Sequence, residues 1–320
     1  MRLGHFDLNL FVALDALLDT ASITRAAERL HLGVSATSAA LGRLREHFGD
    51  ELLVQVGRRM ELTPLAQSLR APVREVLLRS QATLATRPDF DPATARRHVV
   101  FHTTDYTATV LLAPLSQALE SEAPGLTLDI VPLGDRNLER LERGEVDLAL
   151  YPAANASAEH PSEALLEDHF SCLVWTGHHL PPEGLTAEHY RAARHVAARF
   201  GERRVPTVDE VHLSQHLGVQ RQVVTTASSF NELPALVVGT QRIATLQTRL
   251  ARMYARILPL RLLPLPFELP PLQLVMQWNR HAEHDAAHRW LRQRLKRLAA
   301  ALGPATPAPL PSDAQRNQVQ

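Results

Sequence analysis

The chain has one cysteine, Cys172, and one lysine, Lys296, among 320 residues. One cysteine cannot form an intrachain disulfide or a cysteine-based zinc cluster, so a reducing compartment fits best. Charged residues or prolines interrupt every apolar stretch well short of a membrane span, and the first nine residues lack a signal-peptide pattern. We therefore expect a soluble, cytoplasmic protein with no membrane partner.

An excess of positive charge is also missing, because 34 Asp and Glu residues balance 34 Lys and Arg residues. Composition alone therefore does not indicate nucleic-acid binding. The sequence lacks the hydrolase nucleophile elbow, the Gly-Lys phosphate loop and the dinucleotide fingerprint, so it supports neither an enzyme nor a cofactor. His281, His284 and His288 have metal-like spacing, but a solvated helix start is the better interpretation, and we expect no metal site.

The length exceeds that of a usual single domain. Three short helices and a hairpin are predicted first, and a long helix follows from Pro64 to about Leu84, with Thr63 as its cap. After a proline-containing linker, strand-like and helix-like segments alternate, which predicts a mostly parallel sheet covered by helices. The predicted divisions are residues 1–63, a linker or dimerisation segment 64–95, an α/β domain 96–302, and a disordered tail 303–320.

The segment from Ile23 to Gly42 has the pattern of a helix-turn-helix. An apolar stripe at i, i+3, i+4 and i+7 is formed by Ile23, Ala26, Ala27 and Leu30. The next helix is predicted to turn inward Val34, Thr37, Leu41, Leu44 and Phe48. Its opposite face carries Ser35, Ala36, Ser38, Ala39, Gly42, Arg43 and Arg45. Such a face suits the floor of a DNA major groove, and it suits an exposed helix of any helical domain about equally well.

The next residues shift this balance towards DNA. Leu52–Val56 and Met60–Leu62 are predicted to pair as strands around Gly57, Arg58 and Arg59. Two arginines in a turn are often merely solvated. A helix-turn-helix, a basic wing and a long flanking helix together are a much less common combination, and they indicate a DNA-binding domain.

The run ITRAAERLHLGVSATSAALGRLREHFGDELLV resembles the N-terminal domain of LysR-type transcriptional regulators, and the resemblance spans Asp7 to Leu69. It is strongest to the subgroup of nodulation-gene and aromatic-degradation regulators. The resemblance implies DNA contacts from Thr24, Ser35, Ser38, Arg43, Arg45, Arg58 and Arg59, to which we add the apolar groups of Val34 and Ala39. The chain departs from the family pattern at Gly33-Val34, Thr37 and Gly42, so its DNA sequence cannot be taken from relatives.

Residues from 98 to about 302 resemble the effector-binding domain of the same family, a two-lobed α/β module similar to periplasmic binding proteins. The resemblance implies crossings between lobes near residues 155–162 and 264–271, with lobe I at about 96–160 and 268–302 and lobe II at about 161–267. At strand-to-helix junctions facing the cleft, the predicted effector contacts are Thr103, Thr104, Asp105, Tyr106, Thr107, Phe200, Thr226 and Phe230. The alternative is that these residues only cap helices, form loops or pack in the core.

The sequence thus predicts an α+β multidomain chain: a winged helix-turn-helix, a long linker helix and a two-lobed effector-binding domain. We expect a DNA-binding transcription regulator modulated by an aromatic or organic acid, or by a flavonoid-like molecule. Expected partners are promoter DNA, RNA polymerase and further copies of the chain, as a dimer or tetramer paired through Leu65, Leu69, Val73, Val76 and Leu77. The alternative is a two-lobed small-molecule-binding protein with a degenerate DNA-binding domain.

Overall fold

The chain divides after Thr86 into an N-terminal unit and a C-terminal unit. The computed structural model describes residues 6–85, 90–181 and 184–305, without the side chains of residues 81, 82 and 85. Part of the predicted linker, residues 86–89, and the predicted tail from residue 306 onwards lie outside the described residues. No helix in the described part of the chain combines the length and apolar content that a bilayer crossing requires.

The described part of the N-terminal unit folds as a winged helix-turn-helix. Its elements are α1 (Asn9–Thr20), α2 (Ile23–Leu30), α3 (Val34–Phe48), β1 (Leu53–Val56), β2 (Arg59–Leu62) and α4 (Pro64–Ala85). The Ser22 hydroxyl accepts the N–H of Arg25 at 3.3 Å and so caps α2. Gly49 ends α3 with a left-handed φ of 62°. β1 and β2 pair antiparallel, with Val56 opposite Arg59.

The core of the N-terminal unit follows the predicted apolar stripes, with one exception. Ala26 and Ala27 are buried, and their small side chains let α2 lie close to its neighbours. Thr37 is fully buried in α3, and Leu41 and Leu44 are buried below it. Val34 was predicted to face inward and is instead 50% exposed, because the buried stripe of α3 begins only at Thr37.

The helix α4 packs on its own unit. The Thr63 hydroxyl caps it through the N–H of Ala66 at 3.1 Å and donates to the Asp50 carboxylate at 2.6 Å. Val73 is 2% exposed, and the Leu69 and Leu77 side chains pack on the same core. Val73 is therefore wrong as a predicted dimer contact, because it is buried in the unit's own core, whereas Leu65 and Val76 are exposed. Pairing through the other four residues stays a prediction.

The C-terminal unit is built around two sheets. The first has the order β4 (Leu126–Pro132), β3 (Arg97–Thr103), β5 (Leu148–Pro152), β13 (Leu272–Gln277), β6 (Ser162–Asp168). The second has the order β10 (Gln222–Ala227), β8 (Arg194–Phe200), β11 (Arg242–Gln247), β7 (Phe170–Trp175), β12 (Leu260–Pro264), and β9 (Val205–Pro206) pairs with β8. Within each sheet three neighbouring strands run parallel: β4, β3 and β5 in the first, and β10, β8 and β11 in the second.

Helices cover both sheets. They are α5 (Asp105–Thr107), a wider π-type turn at Ala108–Leu112, α6 (Ala113–Glu122), α7 (Asn137–Glu142), α8 (Ala187–Ala192), α9 (Val208–Gln215), α10 (Leu233–Val237), α11 (Thr248–Ala255) and α12 (Ala286–Ala301). The largest apolar core of the unit includes Phe101, Leu111, Leu150, Leu173, Val196 and Leu246, all with 0% exposure. Residues from both sheets therefore share one core.

The first crossing between the sheets lies at His169, between β6 and β7. The sequence placed it near residues 155–162, and this is wrong, because β6 pairs along its length with β13 and belongs to the first sheet. The segment SEALLED mixes two leucines with acidic residues and alanine, so it gives a weak strand signal. The return crossing lies between Pro264 and Leu272, where it was expected.

Candidate nucleic-acid interface and ligand cavity

The exposed face of α3 carries short side chains. Ser35, Ser38 and Ala39 are exposed, and their spacing places them with Gly42 on one helix face. Gly33 is the cap residue and makes no side-chain bond to the first turn, so the N–H groups there are open to an anion such as phosphate. This face can approach a groove closely and can donate hydroxyl and backbone hydrogen bonds to DNA.

The departures from the family pattern are accommodated locally. The buried Thr37 hydroxyl donates to the carbonyl oxygen of Gly33 at 3.2 Å, so its polar atom is satisfied inside the core. A methyl group at Gly42 would meet nothing within 4 Å. Glycine is thus not required by packing in the N-terminal unit at this position.

Exposed cations occur on α2, α3 and the β1–β2 hairpin. Arg58 and Arg59 are exposed, and neither forms an ion pair with an acidic side chain among the described residues. Arg43 is paired loosely with Asp7 at 3.3 Å, and its side chain is 58% exposed. Thr24 is exposed in the first turn of α2, as is Arg25, a cation that the sequence analysis did not select.

Arg45 has a different environment from the other predicted DNA contacts. Its guanidinium donates to the carbonyl oxygens of Glu51 at 2.8 Å and Leu53 at 2.9 Å. It also lies 3.1 Å from the Glu51 carboxylate. The Arg45 side chain therefore ties α3 to the strand that begins the hairpin, which favours a positioning role. Its predicted DNA contact stays a prediction.

A cavity of about 270 Å³ lies at the carboxyl ends of the parallel strands of both sheets. This is the edge at which α/β proteins commonly bind ligands, because several strand-to-helix junctions converge there. From the first sheet it is lined by Thr104, Tyr106, Leu133, Gly134, Asp135, Asn137, Pro152, Asn155, Leu272 and Leu274. From the second sheet it is lined by Phe170, Phe200, Arg203, Val205, Pro206, Thr207, Val208, Asp209, Phe230 and Gln247.

Four of the eight predicted effector residues line this cavity: Thr104, Tyr106, Phe200 and Phe230. The other four are directed elsewhere. The Thr103 hydroxyl donates to the Leu150 carbonyl oxygen at 2.9 Å within the sheet, and Thr107 is buried. Thr226 is exposed outside the lining and accepts a hydrogen bond from Arg204. These residues therefore lie at the junctions but do not line the cavity.

Asp105 connects the two sheets instead of facing the cavity. One of its carboxylate oxygens accepts from the Ser229 hydroxyl and from the N–H of Asn231, both at 2.7 Å. The Asn231 side-chain amide in turn donates to the Thr109 hydroxyl at 3.0 Å. Asp105 follows β3 and Asn231 follows β10, so this network ties a junction of the first sheet to a junction of the second.

Tyr106 belongs both to the cavity wall and to the crossing between the sheets. Its ring lines the cavity, and its hydroxyl donates to the Asp168 carboxylate at 2.7 Å, one residue before the crossing at His169. The same oxygen accepts the N–H of Arg249 at 3.2 Å. Burial raises the pKa of both Tyr106 and Asp168 above their ordinary values.

Loops that contribute to the cavity were not predicted from the sequence. Gly201 has a φ of 69°, and a methyl group there would lie 2.6 Å from the Asp135 carboxylate, which accepts the N–H of Glu202 at 3.1 Å. Asp209 is buried and paired with Arg221 at 3.1 Å. Motif spacing could not find these residues, because each contact joins segments that are distant in sequence.

One histidine of the segment from His281 to His288 lies in the core. His288 is 2% exposed and its ring lies 3.0 Å from the Asp147 carbonyl oxygen, so the expected solvated helix start is wrong at this residue. Asp285 caps α12 through the N–H of His288 at 2.9 Å and pairs with Arg97 at 2.6 Å. Among the described residues no group of three or more His, Cys, Asp or Glu side chains could hold a metal ion.

Comparison with known proteins assigns both units. The family of bacterial regulatory helix-turn-helix proteins of the lysR type matches residues 8–67, and the LysR substrate binding domain matches residues 92–300. The chain belongs to the LysR family of transcription regulators. Its N-terminal unit is accordingly the DNA-binding domain, and its C-terminal unit is the effector-binding domain.

Full-length relatives share this LysR architecture. The chain is 37% and 36% identical to Nodulation proteins D 1 and D 2 of Rhizobium tropici, covering 94% of this chain and 98% and 96% of theirs. A probable transcriptional regulator from Pseudomonas aeruginosa is 31% identical in its crystal structure, with 92% of this chain and 97% of that chain covered and a TM-score of 0.62. A full-length OxyR variant from the same organism, 18% identical over 92% of this chain and 95% of its own, supports the fold with a TM-score of 0.66.

Proposed function

We propose that this LysR-family regulator responds to a small aromatic effector bound in the cavity between its two sheets. The observation that carries the proposal is the lining: the rings of Tyr106, Phe170, Phe200 and Phe230 contribute to it, and the last two pack with centroids 5.0 Å apart. Aromatic walls favour flat apolar molecules through burial and ring stacking.

The charges of the cavity refine the effector class. Arg203 is exposed, and it is the one cationic side chain among the described lining residues. Asp209 is neutralised by Arg221. A carboxylate buried at the floor would lack a cation, which is unfavourable, whereas a carboxylate at the rim can meet Arg203. An aromatic acid therefore fits only with its carboxylate at the rim, and a neutral aromatic molecule fits in either orientation.

Equilibrium dialysis of the full chain against 2-naphthol, 2-naphthoate and citrate tests this proposal. We expect both naphthalene compounds to bind and citrate not to bind. Phe230→Ala is expected to weaken 2-naphthol at least tenfold, because a buried aromatic wall is lost. Phe90→Ala, which removes a ring that packs on Trp290 outside the cavity lining, is the matched control. Binding of citrate alone would refute an aromatic effector.

We propose that DNA is contacted by the exposed residues of α2, α3 and the hairpin: Thr24, Val34, Ser35, Ser38, Ala39, Arg43, Arg58 and Arg59. Their exposure and the short side chains of α3 support this assignment. With duplex DNA from upstream of its own gene, Arg58→Ala and Arg59→Ala should each reduce the salt dependence of binding by about one released ion per bound chain. Arg256→Ala, an exposed arginine of the effector-binding domain, should leave it unchanged.

We further propose that two copies pair through α4 and present two recognition helices to a two-fold site, with RNA polymerase as a further partner on the promoter. Leu65 and Val76 are 36% and 38% exposed on α4 and support this pairing. Sedimentation at micromolar concentration distinguishes monomer, dimer and tetramer. A monomer would exclude the pairing, and Leu65→Glu with Val76→Glu is expected to dissociate it.

A further inference from the structure

Gln247 lies at the floor of the cavity with an unused hydrogen-bonding atom. It ends β11 directly before α11, lines the cavity and is 3% exposed. Its side-chain oxygen Oε1 is buried and has no hydrogen-bond partner among the described residues. Buried polar atoms in folded proteins almost always have a partner, so an exception inside a cavity indicates that the cavity's contents supply it.

No neighbouring side chain among the described residues supplies this partner. Tyr106 donates its hydroxyl to Asp168 at 2.7 Å, and Asp168 takes further hydrogen bonds from backbone N–H groups. Phe170 is paired with Gln247 in the register of β7 and β11, and it offers only a ring. Leu272 and Leu274, which also line the cavity and are 5% and 3% exposed, are apolar. The lining around Gln247 therefore combines apolar surface with one buried acceptor that has no partner among the described residues.

We propose that Gln247 is the residue that selects effectors with a hydroxyl group, which donates to Oε1 at the cavity floor. This inference rests on the proposed aromatic effector and adds where its polar group lies. A carboxylate cannot take this place, because it would bring a second acceptor against Oε1 and has no buried cation to meet it. A hydroxyl supplies a donor without a charge, and the rest of the ring system contacts the aromatic walls.

Three neutral probes of one ring system test the proposal: 2-naphthol, 2-methoxynaphthalene and the size-matched 2-fluoronaphthalene. Affinities for the full chain are measured by equilibrium dialysis. We expect 2-naphthol to bind roughly tenfold to a hundredfold more tightly than the other two, as expected when a buried acceptor gains its donor. Gln247→Met, similar in shape and without the amide, should remove this preference. The exposed control Gln220→Leu should retain it.

The outcomes separate this inference from the proposal on which it rests. If no naphthalene compound binds the parent chain, the aromatic effector itself is wrong. If all three bind the parent with similar affinity, the aromatic effector stands and the role of Gln247 is refuted. If the preference survives in Gln247→Met, the role of Gln247 is refuted as well. Circular dichroism establishes whether the variants are folded. If Gln247→Met does not fold, the comparison of the three probes in the parent chain still decides the inference.

Discussion

Replacing Arg45 by alanine should destabilise the DNA-binding domain without removing a phosphate contact. The change breaks two charge-assisted hydrogen bonds, to the carbonyl oxygens of Glu51 and Leu53. Such bonds contribute roughly 1.5–3 kcal/mol each when buried. Because the Arg45 side chain is 35% exposed, we expect about 2 kcal/mol for the two together. The ion pair with Glu51, whose side chain is 66% exposed, adds at most about 0.5 kcal/mol.

Two spectroscopic probes can assign this loss to one domain. All three tryptophans, Trp175, Trp278 and Trp290, lie in the effector-binding domain, so their fluorescence does not follow unfolding of the DNA-binding domain. Circular dichroism follows the helices of both domains. In urea, Arg45→Ala should shift a circular-dichroism transition to lower denaturant by about 1 M while the fluorescence transition stays in place. Arg43→Ala, on the same helix and paired only loosely with Asp7, should shift neither by a measurable amount.

DNA binding supplies the result that would refute this reasoning. If Arg45 positions the hairpin, Arg45→Ala should lower DNA affinity with little change in its salt dependence, since no phosphate contact is lost. Suppose instead that the urea transition did not move and the salt dependence fell by about one ion per chain. Arg45 would then be a phosphate contact, and its bonds to Glu51 and Leu53 would not matter for stability.

Three further expectations concern the effector-binding domain. Gly239→Ala, at φ 72° with no atom within 4 Å of the added methyl, should cost the left-handed strain of about 1–2 kcal/mol in urea unfolding followed by tryptophan fluorescence. Gly201→Ala, at φ 69°, should cost more, because its methyl would also lie 2.6 Å from Asp135. Equal losses would show that Asp135 adjusts freely. Burial lowers the pKa of His195 to about 4, against about 6.5 when unfolded. The neutral His195 side chain therefore contributes about 3 kcal/mol to the free energy of unfolding above pH 6.5, and this is lost as the pH falls towards 4, because the unfolded chain takes up the proton first. His195→Gln should flatten the pH dependence of the free energy of unfolding, and an unchanged pH dependence would contradict this assignment. Phe200→Ala should weaken 2-naphthol binding, whereas Thr226→Ala, outside the cavity lining, should leave it unchanged.

The sequence predicted the elements whose signals are local. Apolar spacing located α2 and α3, and Gly57 with its flanking strands located the hairpin. The strand ends near Thr104, Phe200 and Phe230 were found because parallel strands place their carboxyl ends at one edge. Each of these sequence signals depends on residues within a few positions of one another.

Contacts between distant segments were not predictable in the same way. Arg45 has the same sequence appearance as Arg43, and only folding of the hairpin against α3 brings carbonyl oxygens within its reach. Thr103 and Thr104 are adjacent, yet the Thr103 hydroxyl bonds within the sheet and Thr104 lines the cavity, because successive side chains at a strand end point in opposite directions. The pairing of β6 with β13 joins residues more than a hundred positions apart.

The junction after β3 connects the cavity wall to the second sheet and to the crossing between the sheets. Asp105 bonds to Ser229 and Asn231 beyond the other sheet's β10, and Tyr106 bonds to Asp168 at the crossing. An effector shifts a conformational equilibrium only if it binds one arrangement better than the other. A molecule held between the Tyr106 and Phe230 rings contacts both sheets, so its binding energy depends on their separation. A molecule held at the rim by Arg203 alone would contact one sheet and would leave that equilibrium unchanged.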